Sequence, residues 1–165
     1  MERLTVLHPI PPVYDQESRV LLLGTFPSPK SREAGFYYSH PQNRMWRVLA
    51  SLFGEETPAD TESRRSFLLR HGIAMWDVLS SCSIAGAEDS SIRDPVPNDI
   101  SPLLRAAPIS AIFCTGKKSF SLYNRYLRTE TGRDAVCLPS TSPANCRKET
   151  LHTLSEAYRI LLQYL

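Results

Sequence analysis

The chain is expected to adopt an α/β fold: a four-stranded, mostly parallel sheet flanked by helices, in a single domain over residues 1–165. Two observations support this. Short, near-continuous apolar runs recur along the chain, and stretches with helical spacing of apolar residues separate them. Runs without polar alternation suit strands covered on both faces, as inside a parallel sheet. With 165 residues, 42% hydrophobic and 22% charged, one domain can also bury a core without cross-links.

The first strand is expected over Arg19–Leu23, ended by Gly24. Met45, Trp46, Leu49, Leu52 and Phe53 then fall on one face at helical spacing, and Thr61–Arg70 reads as a second helix. Ile73–Trp76 is the second strand. Asn98–Ala106 is a short helix stopped by Pro108, and Ala111–Cys114 is the third strand. A helix over Ser119–Leu127 leads to the fourth strand, Ala135–Leu138. The last helix is expected over Glu149–Leu165, where Leu151, Leu154, Tyr158, Leu161 and Leu162 make an apolar stripe that reads as core packing.

Twelve of the 13 prolines gather in rigid loops, at 9–12, 27–41, 95–108 and 139–143. In open α/β sheets the binding crevice lies beyond the carboxyl ends of the strands. The informative residues should therefore follow Leu23, Trp76, Cys114 and Leu138. Apolar runs such as Val20–Leu23 are too short to cross a bilayer, and no secretion signal is evident, so a cytoplasmic location is expected. Cys82, Cys114, Cys137 and Cys146 are scattered without a C-x-x-C pair, so free thiols are expected, with no metal and no cofactor. A net charge of +2 neither demands nor excludes nucleic acid.

After the first strand, Gly24-Thr25-Phe26-Pro27-Ser28-Pro29-Lys30-Ser31 nearly matches the phosphate-cradling G-x-x-x-x-G-K-S loop. Pro29 stands where the second glycine belongs, and Pro27 and Pro29 each lack the N–H through which such a cradle works. That argues against a nucleoside triphosphatase. Farther on, Phe36, Tyr37, Tyr38, His40, Gln42 and Asn43 precede a helix. Aromatic faces stack on an extruded base, and amides read its hydrogen-bonding edge. Each residue also has an ordinary role open to it: Asn43 as an N-cap, the tyrosines as core aromatics, His40 as a structural hydrogen bonder.

The segment Gly24–Ser31, with Tyr37-Tyr38-Ser39-His40-Pro41-Gln42-Asn43 and Trp46, resembles the uracil-DNA glycosylase superfamily, in particular its hypoxanthine-DNA (deoxyinosine) glycosylase branch. The loop Leu138–Asn145, Trp76-Asp77-Val78-Leu79 and Asp89-Ser90-Ser91-Ile92 carry the same resemblance, in order along the chain. Phe26 occupies the slot where other members of the superfamily place aspartate or asparagine, and Trp76-Asp77 stands where uracil readers use asparagine. Both departures speak against uracil as the substrate.

The resemblance implies a four-stranded parallel sheet and a monofunctional glycosylase of base excision repair, which flips out hypoxanthine or xanthine and hydrolyses its N-glycosidic bond. It makes Asn43 the catalytic amide, and it puts Phe26, Tyr38, His40 and Gln42 around the base. Asp77, Glu33 and Asp94 are candidate general bases by location. Contacts to DNA are expected from Ser28, Lys30 and Ser31, from Gly116 and Lys117 at a helix start, and from Ser140, Ser142, Pro143, Ala144 and Asn145 in a loop that inserts into the minor groove. Arg147 and Lys148 are expected to open the last helix, an unfavourable place for cations unless an anion lies near. The partner is then double-stranded DNA carrying a damaged base, bound by a monomer, with no membrane involved. Two alternatives stay open, a mismatch-type uracil or broad deaminated-base glycosylase and a non-catalytic nucleic-acid-binding module. A zinc deaminase is excluded, because H-x-E and P-C-x-x-C are both absent.

Overall fold

A computed structural model describes residues 3–86 and 88–165. The strands in chain order are β1 (Leu4–Leu7), β2 (Val20–Gly24), β3 (Ile73–Asp77), β4 (Leu79–Ile84), β5 (Arg93–Pro97), β6 (Ala111–Thr115) and β7 (Ala135–Leu138). The helices are α1 (Pro29–Ala34), α2 (Met45–Phe53), α3 (Thr61–Arg70), α4 (Ser101–Ala106), α5 (Lys117–Tyr126), α6 (Arg128–Thr131) and α7 (Leu151–Tyr158). No described helix is long and apolar enough to cross a membrane.

The main sheet runs β3-β2-β6-β7 and is parallel throughout, with Leu23 between Trp76 and Cys114 in register. Its four strands are the expected ones, each within one residue of the expected ends. Side chains alternate across it. Val20, Leu22, Ile73, Met75 and Phe113 pack with Leu49, Phe67, Leu68, Leu154 and Tyr158 of α2, α3 and α7. Leu21, Leu23, Ala74, Ile112 and Cys114 face Leu103 of α4 and Leu122 and Tyr123 of α5 on the other side. That double cover is why the central strands read as unbroken apolar runs. β7 departs from the expectation: it is an edge strand on which Val136 and Cys137 are exposed.

A second sheet, absent from the sequence reading, has the antiparallel order β1-β4-β5. β5 holds Pro95 and Pro97, and its register against β4 shifts twice. Prolines lack a ladder donor and are confined to edges and irregular pairings, which is where β5 lies. β4 follows β3 almost directly, and the amides of Val78 and Leu79 turn back to the carbonyls of Gly24 and Thr25 (2.8 and 3.2 Å).

Helix boundaries also differ, and α5 starts at Lys117, two residues before the expected Ser119. Asn98 is not helical: its buried amide donates to the carbonyls of Asp77 and Leu79 (2.9 and 3.1 Å), and α4 begins at Ser101. The expected helix over Glu149–Leu165 starts at Leu151, behind a capping box of Thr150 and Thr153, and passes into a tighter 3₁₀ stretch over Arg159–Gln163. Arg147 and Lys148 thus lie in an exposed turn before that helix, and the helix-dipole argument attached to them fails. Leu151, placed in the core stripe, is 40% exposed. Pro29, expected in a loop, opens α1, where Ser28 caps the helix by accepting from Ser31 N–H.

Candidate active site

The strand order reverses direction between β2 and β6. A cleft of about 590 Å³ opens beyond their carboxyl ends, with Gly24, Thr25, Asp77, Thr115 and Ser140 at its base. This is where doubly wound sheets bind ligands, because the crossovers leave on opposite faces and part there.

Asn43 lines the cleft. Its side-chain oxygen accepts the backbone N–H of Met45, in the first turn of α2, at 2.9 Å. It also accepts the Thr141 hydroxyl at 2.8 Å. Two donors on Oδ1 fix which end of the amide is which. Nδ2 donates to no other group among the described residues and is left to serve the cleft. Asn43 therefore contributes to the helix start and presents a donor to the cleft at once. Beside it, His40 Nδ1 accepts the Gln42 N–H at 3.1 Å, which leaves the proton on Nε2 as a second donor.

Asp77 ends β3 and is 4% exposed, with Oδ2 at 2.8 Å from His8 Nε2. Ile10 N–H donates to His8 Nδ1 at 3.2 Å, so Nε2 carries the proton that Asp77 accepts. A buried carboxylate needs such a partner. Gly24 makes room for it: a Cβ there would sit 2.5 Å from Asp77 Oδ1 and 3.0 Å from the Tyr38 hydroxyl.

Tyr38 has a left-handed backbone (φ 51°), unfavourable for a bulky residue and concentrated at functional sites. The Trp46 indole N–H donates to its carbonyl at 3.1 Å, and its hydroxyl meets Thr115 Oγ1 at 2.9 Å. Burial, with Asp77 adding to it, holds the phenol well above its ordinary pKa, so Tyr38 stays neutral. Phe26 stands edge-on to His8, with the Arg32 guanidinium 5.8 Å from its ring centroid.

Among the residues singled out in the sequence, Asn43, Phe26, Tyr38, His40, Asp77, Ser28, Ser31, Ser140, Ser142, Pro143, Ala144 and Asn145 meet at this cleft. Ser31 is 2% exposed, and its hydroxyl accepts from Ser28 and from Ser39 N–H, so it braces the loop and is not presented to a phosphate. Gln42, Lys30, Gly116 and Lys117 do not line the cleft. Gln42, Lys30 and Lys117 are exposed around it, and Gly116 caps α5. Glu33 on α1 and Asp94 on β5 are exposed and outside it, which removes them as bases. His8, Thr25, Thr115, Thr141 and Glu88 were missed. His8 sits in a proline-rich stretch with no local motif, and Thr141 inside a loop whose serines draw attention first.

The loop after β7 forms one wall. Pro143–Asn145 is a 3₁₀ turn capped by Ser142, whose hydroxyl accepts Ala144 N–H, and Asn145 Nδ2 donates to the Ser140 carbonyl at 3.1 Å. Glu88, Asp89 and Ser90 line the cleft from an exposed turn. Desolvation raises the Asp89 pKa above the usual carboxylate range, with Asp77 adding to it, while Lys118 and Thr25 pull it back.

The sequence profile of the uracil DNA glycosylase superfamily matches residues 11–165. A protein named hypoxanthine DNA glycosylase from Methanosarcina barkeri (strain Fusaro / DSM 804) is 37% identical over 139 residues, covering 83% of this chain and 87% of that protein. One of the same name from Methanosarcina acetivorans is 33% identical over 138 residues, with the same shares covered. A solution NMR structure of a Methanosarcina acetivorans protein superposes with a TM-score of 0.77 at 32% identity, covering 93% of this chain and 96% of that one.

Proposed function

Because the chain belongs to the uracil DNA glycosylase superfamily, we propose that it extrudes a deaminated base, hypoxanthine foremost, from duplex DNA and hydrolyses its N-glycosidic bond. The observation that carries this reading is the Asn43 amide, whose oxygen is occupied by Met45 N–H and Thr141 while its nitrogen is left for the cleft.

When the C1′–N9 bond breaks, its electron pair leaves with the purine, and charge spreads to N7 and O6. A neutral amide N–H aimed at either atom stabilises that charge, and one such donor is worth about 3–4 kcal/mol in comparable sites. His40 Nε2–H adds a second donor. Asp77, held by His8, supplies the negative charge that an oxocarbenium-like sugar needs and accepts the proton of the attacking water, giving an abasic sugar. Tyr38 and Phe26 wall the extruded base. Ser140, Ser142 and Asn145 engage the DNA backbone while Pro143 and Ala144 press into the base stack through the minor groove. The same reading has the protein act as a monomer in the cytoplasm.

Duplexes carrying one deoxyinosine, one deoxyxanthosine or one deoxyuridine, incubated in EDTA and treated with alkali, test this directly. Strand scission at deoxyinosine without added metal is the expected result. Efficient release of uracil with none of hypoxanthine would overturn the substrate, and binding without any abasic product would leave a nucleic-acid-binding module instead.

A further inference from the structure

The catalytic donor and the inserted loop are not independent parts. We infer that Thr141 is a positioning residue that aims the Asn43 amide, so that base release depends on how the Ser140–Asn145 loop is seated. The inference rests on the reading of Asn43 as the leaving-group donor.

An asparagine side chain turns easily about its last torsion, which is broad and roughly two-fold, so an amide that must donate in one direction has to be held by its oxygen. Met45 N–H holds it from the chain's own helix at 2.9 Å. The second hold comes from the far end of the sequence: Thr141, 1% exposed, donates its hydroxyl to Asn43 Oδ1 at 2.8 Å. Neighbouring bonds keep this contact in place. Arg44 N–H donates to the Thr141 carbonyl at 3.2 Å, and its guanidinium donates to the carbonyls of Ser142 (3.1 Å) and Glu149. Arg44 is 8% exposed and takes part in no described ion pair. Its charge is spread over carbonyls of the loop and of the turn before α7. Residues 43–44 therefore grip the loop through backbone and side chain together. A loop pushed out of place takes the Thr141 hydroxyl with it, and the amide oxygen is then held by Met45 N–H alone. A closed loop, with an extruded base under it, keeps the donor aimed.

The test compares N43A, T141V and T141S in two assays. One is single-turnover release of hypoxanthine, and the other is affinity for a duplex carrying an uncleavable abasic analogue. T141V keeps the shape of threonine and removes the donor. It should lose about tenfold or more in release rate, since small misplacements of a catalytic group carry costs of that order. Its affinity for the analogue duplex should stay unchanged, and T141S, which restores the hydroxyl, should recover most of the rate. Should T141V fail to fold, T141A against T141S gives the same comparison. A parental rate in T141V while N43A is inactive overturns this inference alone. Equal losses in the valine and serine variants overturn it too, as does a rate loss matched by lost affinity. A parental rate in N43A overturns both this inference and the function it rests on.

Discussion

On the proposed mechanism the two ends of the Asn43 side chain have separate jobs, and replacing the residue separates them. Aspartate in its place can still accept Met45 N–H and the Thr141 hydroxyl, so N43D should melt with the parent. Its other oxygen, however, sets negative charge against a base that is itself becoming negative. Alanine removes both jobs: it costs about 1 kcal/mol for the lost helix contact and also strands the buried Thr141 hydroxyl without its acceptor. Both variants should lose at least about a hundredfold in single-turnover release, on the order of 2.7 kcal/mol. Near-parental excision by N43D at neutral pH would leave Asn43 only its structural contacts to Met45 and Thr141, one residue ahead of the α2 cap at Arg44. The position of this residue was legible in the sequence, through the motif around Tyr38–Asn43. Which end of it faces the cleft was not, because one of the two donors that set it, the Thr141 hydroxyl, lies far along the chain. The same holds for Asp77, whose place at the end of the second strand was readable while its partner His8 was not.

At the level of elements, the sequence was most informative where burial is two-sided. β2, β3 and β6 are covered on both faces, and their apolar runs stand out against everything around them. The small antiparallel sheet lacks that signal. Leu4 and Leu7 of β1 are exposed, and β5 carries two prolines that argue against a strand when read locally. Its pairing with β4 exists because the chain turns sharply after Asp77, a tertiary fact with no local signature. The loop after β7 was readable from its prolines and serines, and its position against the cleft supports a direct role on DNA. Replacing Pro143 and Ala144 together by glycine removes the stiff tip but none of the buried core, since Ala144 is exposed and Pro143 only half-buried. The double variant should therefore melt close to the parent and bind or extrude the damaged nucleotide poorly. Unchanged single-turnover rate and affinity, measured on a deoxyinosine duplex, would remove the wedge assignment.

Across the whole molecule the charge is nearly balanced, at +2, and a cleft for a polyanion carries acidic Glu88 and Asp89 on one rim. Folding raises the pKa of Asp89 above that of the unfolded chain. An acid shifted that way lowers stability as the pH climbs from the unfolded value through the folded one, and it carries no penalty below both. D89N should therefore raise the thermal midpoint at pH 7, by an amount that shrinks as the pH drops through the ordinary carboxylate range. It should also tighten binding to undamaged duplex at low salt, where phosphate repulsion is least screened. A midpoint that falls at pH 7 would show that the ionised carboxyl supports the fold. The bonds that build the cleft also bear on biosynthesis. His8 and Asp77 are separated by 69 residues, Tyr38 and Thr115 by 77, and Asn43 and Thr141 by 98. Contacts of such span form late, because long loops must close before they are rewarded. A nascent chain whose last strand is still inside the ribosome lacks the Ser140–Asn145 wall of the cleft and the Thr141 hold on Asn43. On the proposed mechanism such a chain is inactive while incomplete, and activity follows the docking of residues 135–165, about the final fifth of the chain.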